Sequence, residues 1–154
     1  MKKAEISYFN LSYDDISAVS EMELRMFAQP WTESSIGHYM DSGNMIFIVA
    51  KHLIPGKEPK LAGYMALLRT LDEADLVSIA VDEDYRNMGI ARELLDIGYD
   101  MALEAGVRLI HLEVRKSNEA AIRLYESEGF RKDGIRKNFY KAPTEDALLY
   151  TKEL

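Results

Sequence analysis

Cysteine is absent from all 154 residues. Its absence removes disulfides, thiol nucleophiles and cysteine-based zinc sites together, and fits a reducing cytoplasm. Long apolar runs are also missing. The longest, such as MIFIVA at 45–50, fall far short of the roughly 20 residues that span a bilayer. The opening MKKAEISYFN has two lysines but no apolar stretch behind them, so no secretory signal is expected. Basic residues do not dominate: 19 Lys and Arg stand against 26 Asp and Glu, a net charge of −7. That balance argues against direct nucleic-acid binding and against a structural domain seated on ribosomal RNA. It would suit a basic substrate, although acidic proteins are more often simply soluble. Neither G-x-x-x-x-G-K-[ST] nor G-x-G-x-x-G occurs, which excludes a P-loop and a dinucleotide fingerprint. His38, His52 and His111 show no metal-ligand spacing, so no metal is expected.

What is present is an ordinary globular balance, 47% hydrophobic and 29% charged. The length suits a single domain over 1–154, cytoplasmic by default and without membrane contact. EISYFN (5–10) reads as a first strand. Ser12 caps a helix carrying Ile16, Val19, Met22, Leu24 and Met26 and ending before Pro30. Thr32 caps a second, reaching about Met40, and MIFIVAK is a strand. The proline- and glycine-bearing HLIPGKEPK (52–60) is an exposed loop. Strands follow at 61–70 and 75–84, then a helix from Gly89 to Glu104, a strand at 108–115 and a helix from Asn118 to about Glu128. Segments 130–140 and 146–153 close the chain as an antiparallel pair. The order is α/β with a mixed sheet, and its parallel crossover, 75–115, is where a ligand crevice is expected.

At that crossover stands YRNMGIARELL, residues 85–95. The first N–H groups of a helix have no partner inside it, and the helix dipole adds positive potential, so such a turn can hold an anion. Gly89 permits close approach, Ala91 is small, and Arg86 and Arg92 bring charge. A lone glycine between strand and helix is, by itself, more often only a turn. Strand, R-x-x-G-x-A, helix, strand and helix together, however, resemble the acetyl-CoA-binding core of the GNAT N-acetyltransferase superfamily. The resemblance implies the GNAT fold: a mixed, mostly antiparallel twisted sheet of about seven strands, flanked by about four helices, with splayed central strands. It implies acetyl-CoA as cosubstrate. Ile79, Ala80 and Val81 would pair with the pantetheine arm, and Asn87, Met88, Gly89, Ile90, Ala91 and Arg92 would hold the pyrophosphate.

In RLIHLEVR (108–115), alternation puts Leu109, His111 and Glu113 on one face and Ile110, Leu112 and Val114 on the other. A carboxylate interrupting an apolar strand is costly unless wet, paired or useful. Taken alone, Glu113 reads as a strand-end residue reaching solvent or an arginine, and His111 as a packing residue. Tyr125, on the helix that Asn118 caps, alone reads as core. A strand-turn-helix unit can nevertheless bring Glu113 and Tyr125 to one crevice. Acyl transfer from a thioester to an amine needs a base for the incoming ammonium and a proton for the departing sulfur, and a glutamate and a tyrosine suit those tasks.

The stretch L-E-V-R-x-S-N-x-A-A-I-x-L-Y-E-S-x-G-F (112–130) is similar to the RimI-type ribosomal protein alanine N-acetyltransferases. So are Gln29-Pro30-Trp31-Thr32-Glu33, I-A-V-D-x-D-Y at 79–85 and R-K-N-F-Y at 136–140. The similarity spans roughly residues 10 to 150. It implies that Glu113 accepts the proton, Tyr125 donates one, Asn118 touches the coenzyme, and Trp31 and Tyr140 border the peptide. The implied partners are coenzyme A and a protein N-terminus, the alanine of a small-subunit ribosomal protein. Lys141 stands where that type usually has proline, Pro143 follows two residues later, and loop 52–60 is long. Both departures bear on the acceptor. The alternatives are another protein N-terminus, a lysine side chain or a small amine as acceptor, and a non-catalytic acyl-CoA-binding module.

Overall fold

A computed structural model describes residues 4–154. One sheet of seven strands organises the chain, in the order β1-β2-β3-β4-β5-β7-β6. The strands are β1 Ile6–Asn10, β2 Met45–His52, β3 Lys60–Thr70, β4 Glu73–Val81, β5 Leu109–Arg115, β6 Arg131–Tyr140 and β7 Glu145–Glu153. The helices are α1 Ile16–Met26, α2 Glu33–Ser42, α3 Ile90–Glu104 and α4 Glu119–Ser127. The last strand lies inside the sheet, between β5 and β6, and every pairing is antiparallel except β4 with β5.

The centre of the sheet is buried on both faces. Met65 and Leu67 of β3 point to one side, where Ile90, Leu94 and Leu95 of α3 and Tyr125 of α4 join them. Tyr64 and Ala66 point to the other, beneath Val19 and Met22 of α1 and Ile36 of α2. Each fully buried leucine or isoleucine in these layers contributes about 1.5–3 kcal/mol.

Local chemistry explains the boundaries. Ser12 donates through its N–H (2.9 Å) and Oγ (3.1 Å) to Asp15, closing a 3₁₀ turn before α1. Thr32 Oγ1 accepts from Ser35 N at 3.1 Å and starts α2, which runs on to Ser42, past the expected Met40. Asn118 Oδ1 accepts from Ala121 N at 3.2 Å and opens α4 as expected. The strand expected at 75–84 is shifted: β4 starts at Glu73 and stops at Val81, because Asp82 accepts from Asp84 N (3.0 Å) and turns the chain into a 3₁₀ segment.

One expectation for α1 is corrected. Leu24, placed with its apolar residues, is 70% exposed, whereas Glu23 is 3% exposed. The stripe runs 16, 19, 23, 26, spacings of three and four that share one helical face, and Glu23 occupies a core position on it.

Candidate active site

β4 and β5 pair only where Glu73, Ala74 and Asp75 face Leu109, Ile110 and His111. Beyond that point β4 stays on β3 and β5 stays on β7. The separation has a local cause: Ala66 pairs Ser78 while Leu67 pairs Leu76, leaving Val77 as an extra residue in β4. Such a bulge bends its strand and increases the twist. The result is a wedge bordered by Ile79, Ala80 and Val81 on one side and Leu112, Glu113 and Val114 on the other, within a cleft of about 680 Å³.

At one end of the wedge the chain turns through Arg86–Gly89 into α3. Asn87 (φ 62°) and Gly89 (φ 77°) both adopt left-handed backbone, which curls successive N–H groups toward one side. The first bond of α3 runs from Glu93 N to Gly89 O at 3.1 Å. Among the described residues, no acceptor takes the N–H groups of Asn87, Met88, Gly89, Ile90, Ala91 or Arg92. Six free donors at the positive end of a 15-residue helix fit a diphosphate. Arg92 does not extend freely toward them: its guanidinium lies 3.5 Å from Glu128, which links α3 to the end of α4.

Glu113 and Tyr125 line the same cleft, with Asn118, Trp31 and Tyr140. Every side chain expected at the crevice, from β4, β5, α4, the α1–α2 turn and β6, therefore meets there. Glu113 is about one-third exposed and pairs with Arg136 Nη1 at 3.3 Å. Tyr125 is buried, and its hydroxyl has no hydrogen-bond partner among the described residues. Burial, and then the neighbouring Tyr140, push the Tyr125 phenol far above its ordinary value. The Tyr140 phenol is pushed up to about 12, by burial and then by Glu113. Both phenols therefore keep their hydrogens throughout the neutral range.

His111 is not a packing residue. It is 37% exposed, with Nδ1 at 2.8 Å from Thr151 Oγ1 and Nε2 at 3.3 Å from Glu73.

Several lining residues were not anticipated. Glu23 accepts from Trp31 N (3.0 Å), Ser78 Oγ (3.0 Å) and the Tyr64 hydroxyl. The buried carboxylate thus fastens the α1–α2 turn to β3 and β4. Arg115 holds the β6–β7 turn in a similar way. The period of α1 would have exposed Glu23, an acid in phase with the apolar stripe. The partners of Arg115 lie 26 to 30 residues away, beyond any local pattern.

A bulge-split wedge and a helix start with free amides, in a cleft lined by Glu113 and Tyr125, form a site that suits an acyl-CoA thioester. The chain belongs to the acetyltransferase (GNAT) family, whose profile matches residues 16–130, and it is an acetyl-CoA-dependent N-acetyltransferase. Among its relatives, the [ribosomal protein bS18]-alanine N-acetyltransferase of Escherichia coli (strain K12) is 38% identical over 137 residues, covering 89% of this chain and 87% of that one. The crystal structure of the ribosomal-protein-S18-alanine N-acetyltransferase from Escherichia coli superposes with a TM-score of 0.84 at 34% identity, covering 97% of this chain and 94% of that one. Arabidopsis thaliana NAA60 in complex with acetyl-CoA shares the fold, with a TM-score of 0.89 at 19% identity over 97% of this chain and 99% of that one.

Proposed function

We propose that the chain, acting as one domain in the cytoplasm, acetylates the N-terminal alanine of a small-subunit ribosomal protein. The observation that carries the chemistry is the convergence of Glu113 and Tyr125 on one wedge, next to the turn with free amides at 87–92 and with Trp31 and Tyr140 in the same lining. The acceptor is read from the relatives, which cover most of both chains and act on ribosomal protein alanine.

Acetyl-CoA supplies a thioester carbonyl. The amides of Asn87 through Arg92 would hold its diphosphate, the free edge of Ile79, Ala80 and Val81 its pantetheine arm, and Asn118 a further polar contact. Glu113 takes a proton from the acceptor ammonium, directly or through a water, which frees the nitrogen lone pair for attack. Unpaired N–H groups on β4 stabilise the oxyanion. As the carbon–sulfur bond breaks, Tyr125 gives its hydrogen to the sulfur and its oxygen takes the second proton from the acylated nitrogen, directly or through water, leaving a neutral thiol and a neutral amide. Burial that disfavours the phenolate also disfavours a thiolate in the same place, so the two pKa values rise together and transfer stays feasible.

The test is mass spectrometry of intact small-subunit proteins and of peptides that differ in their first residue, after incubation with acetyl-CoA. Acetylation of the Ala-starting chain ahead of Ser-, Met- and Lys-side-chain acceptors is the expected result. A free small amine outcompeting every peptide would overturn the assigned acceptor.

A further inference from the structure

The β6–β7 turn, residues 141–144, forms one wall of the cleft through Lys141, Ala142 and Pro143. A turn of that kind has little burial of its own to fix it. Here it is held by one side chain. Arg115, at the end of β5 and two residues beyond Glu113, donates from Nη2 to Lys141 O at 2.9 Å and from Nη1 to Pro143 O at 3.0 Å. Nη1 also reaches Glu145 Oε1 at 3.2 Å. The same guanidinium lies 4.5 Å from the centroid of the Tyr140 ring. Glu145 completes the arrangement, its other oxygen accepting from Ser117 N at 2.6 Å, just ahead of α4.

We propose that Arg115, with Glu145 as its counter-charge, is a positioning residue that sets the shape of the acceptor pocket and so its preference among N-terminal residues. The inference rests on the acceptor being a polypeptide N-terminus. Only a planar fork can serve two carbonyls, a carboxylate and an aromatic face together, and a lysine ammonium reaches one or two of them. Loosening the fork frees Tyr140 and the turn while leaving β4, the 87–92 amides and α3 untouched. The predicted loss therefore falls on acceptor binding.

The experiment compares wild type, Arg115→Lys and Glu145→Gln on Ala-, Ser- and Met-starting peptides, with coenzyme A affinity measured separately by calorimetry. For Arg115→Lys, KM for the preferred peptide should rise about tenfold, kcat should stay within about threefold, and the preference between peptides should flatten, the pattern of lost uniform binding. Coenzyme affinity should stay within about twofold. Glu145→Gln should show the same pattern more weakly, and the double variant should fall short of the sum because the two side chains act as a unit. A parallel fall in kcat, coenzyme affinity and thermal stability with preferences intact would show a merely structural residue and overturn the proposal, as would unchanged KM and preferences in both variants. If wild type acetylates no peptide, the acceptor reading falls and takes this inference with it. If wild type acetylates peptides and Arg115→Lys is silent, only this inference falls.

Discussion

Two parts of the cleft are built from different materials. The part proposed to hold the coenzyme is backbone: free amides at 87–92 and the unpaired edge of β4. The part proposed to hold the acceptor is side chains: Glu23 holding Trp31, and Arg115 holding Tyr140 and the turn after it. A backbone site needs few particular residues and recognises what all coenzyme A thioesters share. A side-chain site can change residue by residue, and that is where an acetyltransferase chooses its acceptor. The contrast predicts that variants in one part should leave the affinity of the other nearly unchanged.

The largest expected effect lies between the two parts. Glu113→Gln and Tyr125→Phe should each lower kcat by about 10²–10³, within the range for lost acid-base groups. Calorimetry should show coenzyme A affinity within about twofold of wild type, because neither side chain belongs to the amide cradle. If affinity fell along with turnover, the division between the parts would be wrong. If neither rate changed, the acid-base assignment would be lost.

Glu23→Ala comes next and probes the proposed acceptor part. It strands the Tyr64 hydroxyl, Ser78 Oγ and Trp31 N–H, all of which now donate to one buried carboxylate. Buried donors left without acceptors cost about 1–3 kcal/mol each before water or neighbours compensate, so unfolding in urea should show a loss of about 3 kcal/mol. Peptide KM should rise more than coenzyme affinity falls. Glu23→Gln, which keeps an acceptor oxygen, should lose less. Equal losses in both variants would mean that the carboxylate only fills space.

The same contrast explains what could be read from the chain. The strand, R-x-x-G-x-A and helix sequence is local, and the free amides all lie within 87–92, so the turn and the helix it opens were legible. Alternation in β5 placed Glu113 correctly, and the Asn118 cap fixed the phase of α4 and hence of Tyr125. The side-chain part of the cleft was legible only in outline. Trp31 and Tyr140 were found through resemblance, while Glu23 was missed because Leu24 beside it is the more hydrophobic residue. Its partner Ser78 lies 55 residues away, a separation that periodicity cannot bridge. The position of β7 inside the sheet was hidden for the same reason. Hydrophobic alternation marks strands but does not order them.

A smaller effect is expected in the proposed coenzyme part from Gly89→Val. Open space surrounds the position, so nothing clashes, but φ is +77°. Left-handed backbone costs an L-residue about 1–2 kcal/mol, more at a β-branched side chain than elsewhere. The turn should relax and the amides diverge, lowering coenzyme A affinity about tenfold. Peptide KM at saturating acetyl-CoA should hold. A matched rise in peptide KM would show that the two parts communicate through α3.

The smallest effect concerns a bond that joins the two parts. Arg25 of α1 donates to Asp82, at the end of β4, at 3.1 Å. Burial opposes the charge on Asp82, but the Asp84 N–H and Arg25 outweigh it, and the carboxyl sits below its ordinary value. A depressed carboxyl contributes stability that is present above its unfolded value of about 3.9 and is lost as pH falls through the folded value. Asp15, bound to Lys51 at 2.6 Å, is depressed in the same sense. Wild type should therefore lose unfolding free energy as pH drops below about 4, and Asp82→Asn should remove part of that slope. The variant is also informative at neutral pH. Without the Arg25 link, α1 can shift against β4, so a change in peptide KM there would reveal how far the proposed acceptor wall depends on β4. An acid slope identical to wild type would mean that solvent already satisfies Asp82 and that the bond holds nothing together.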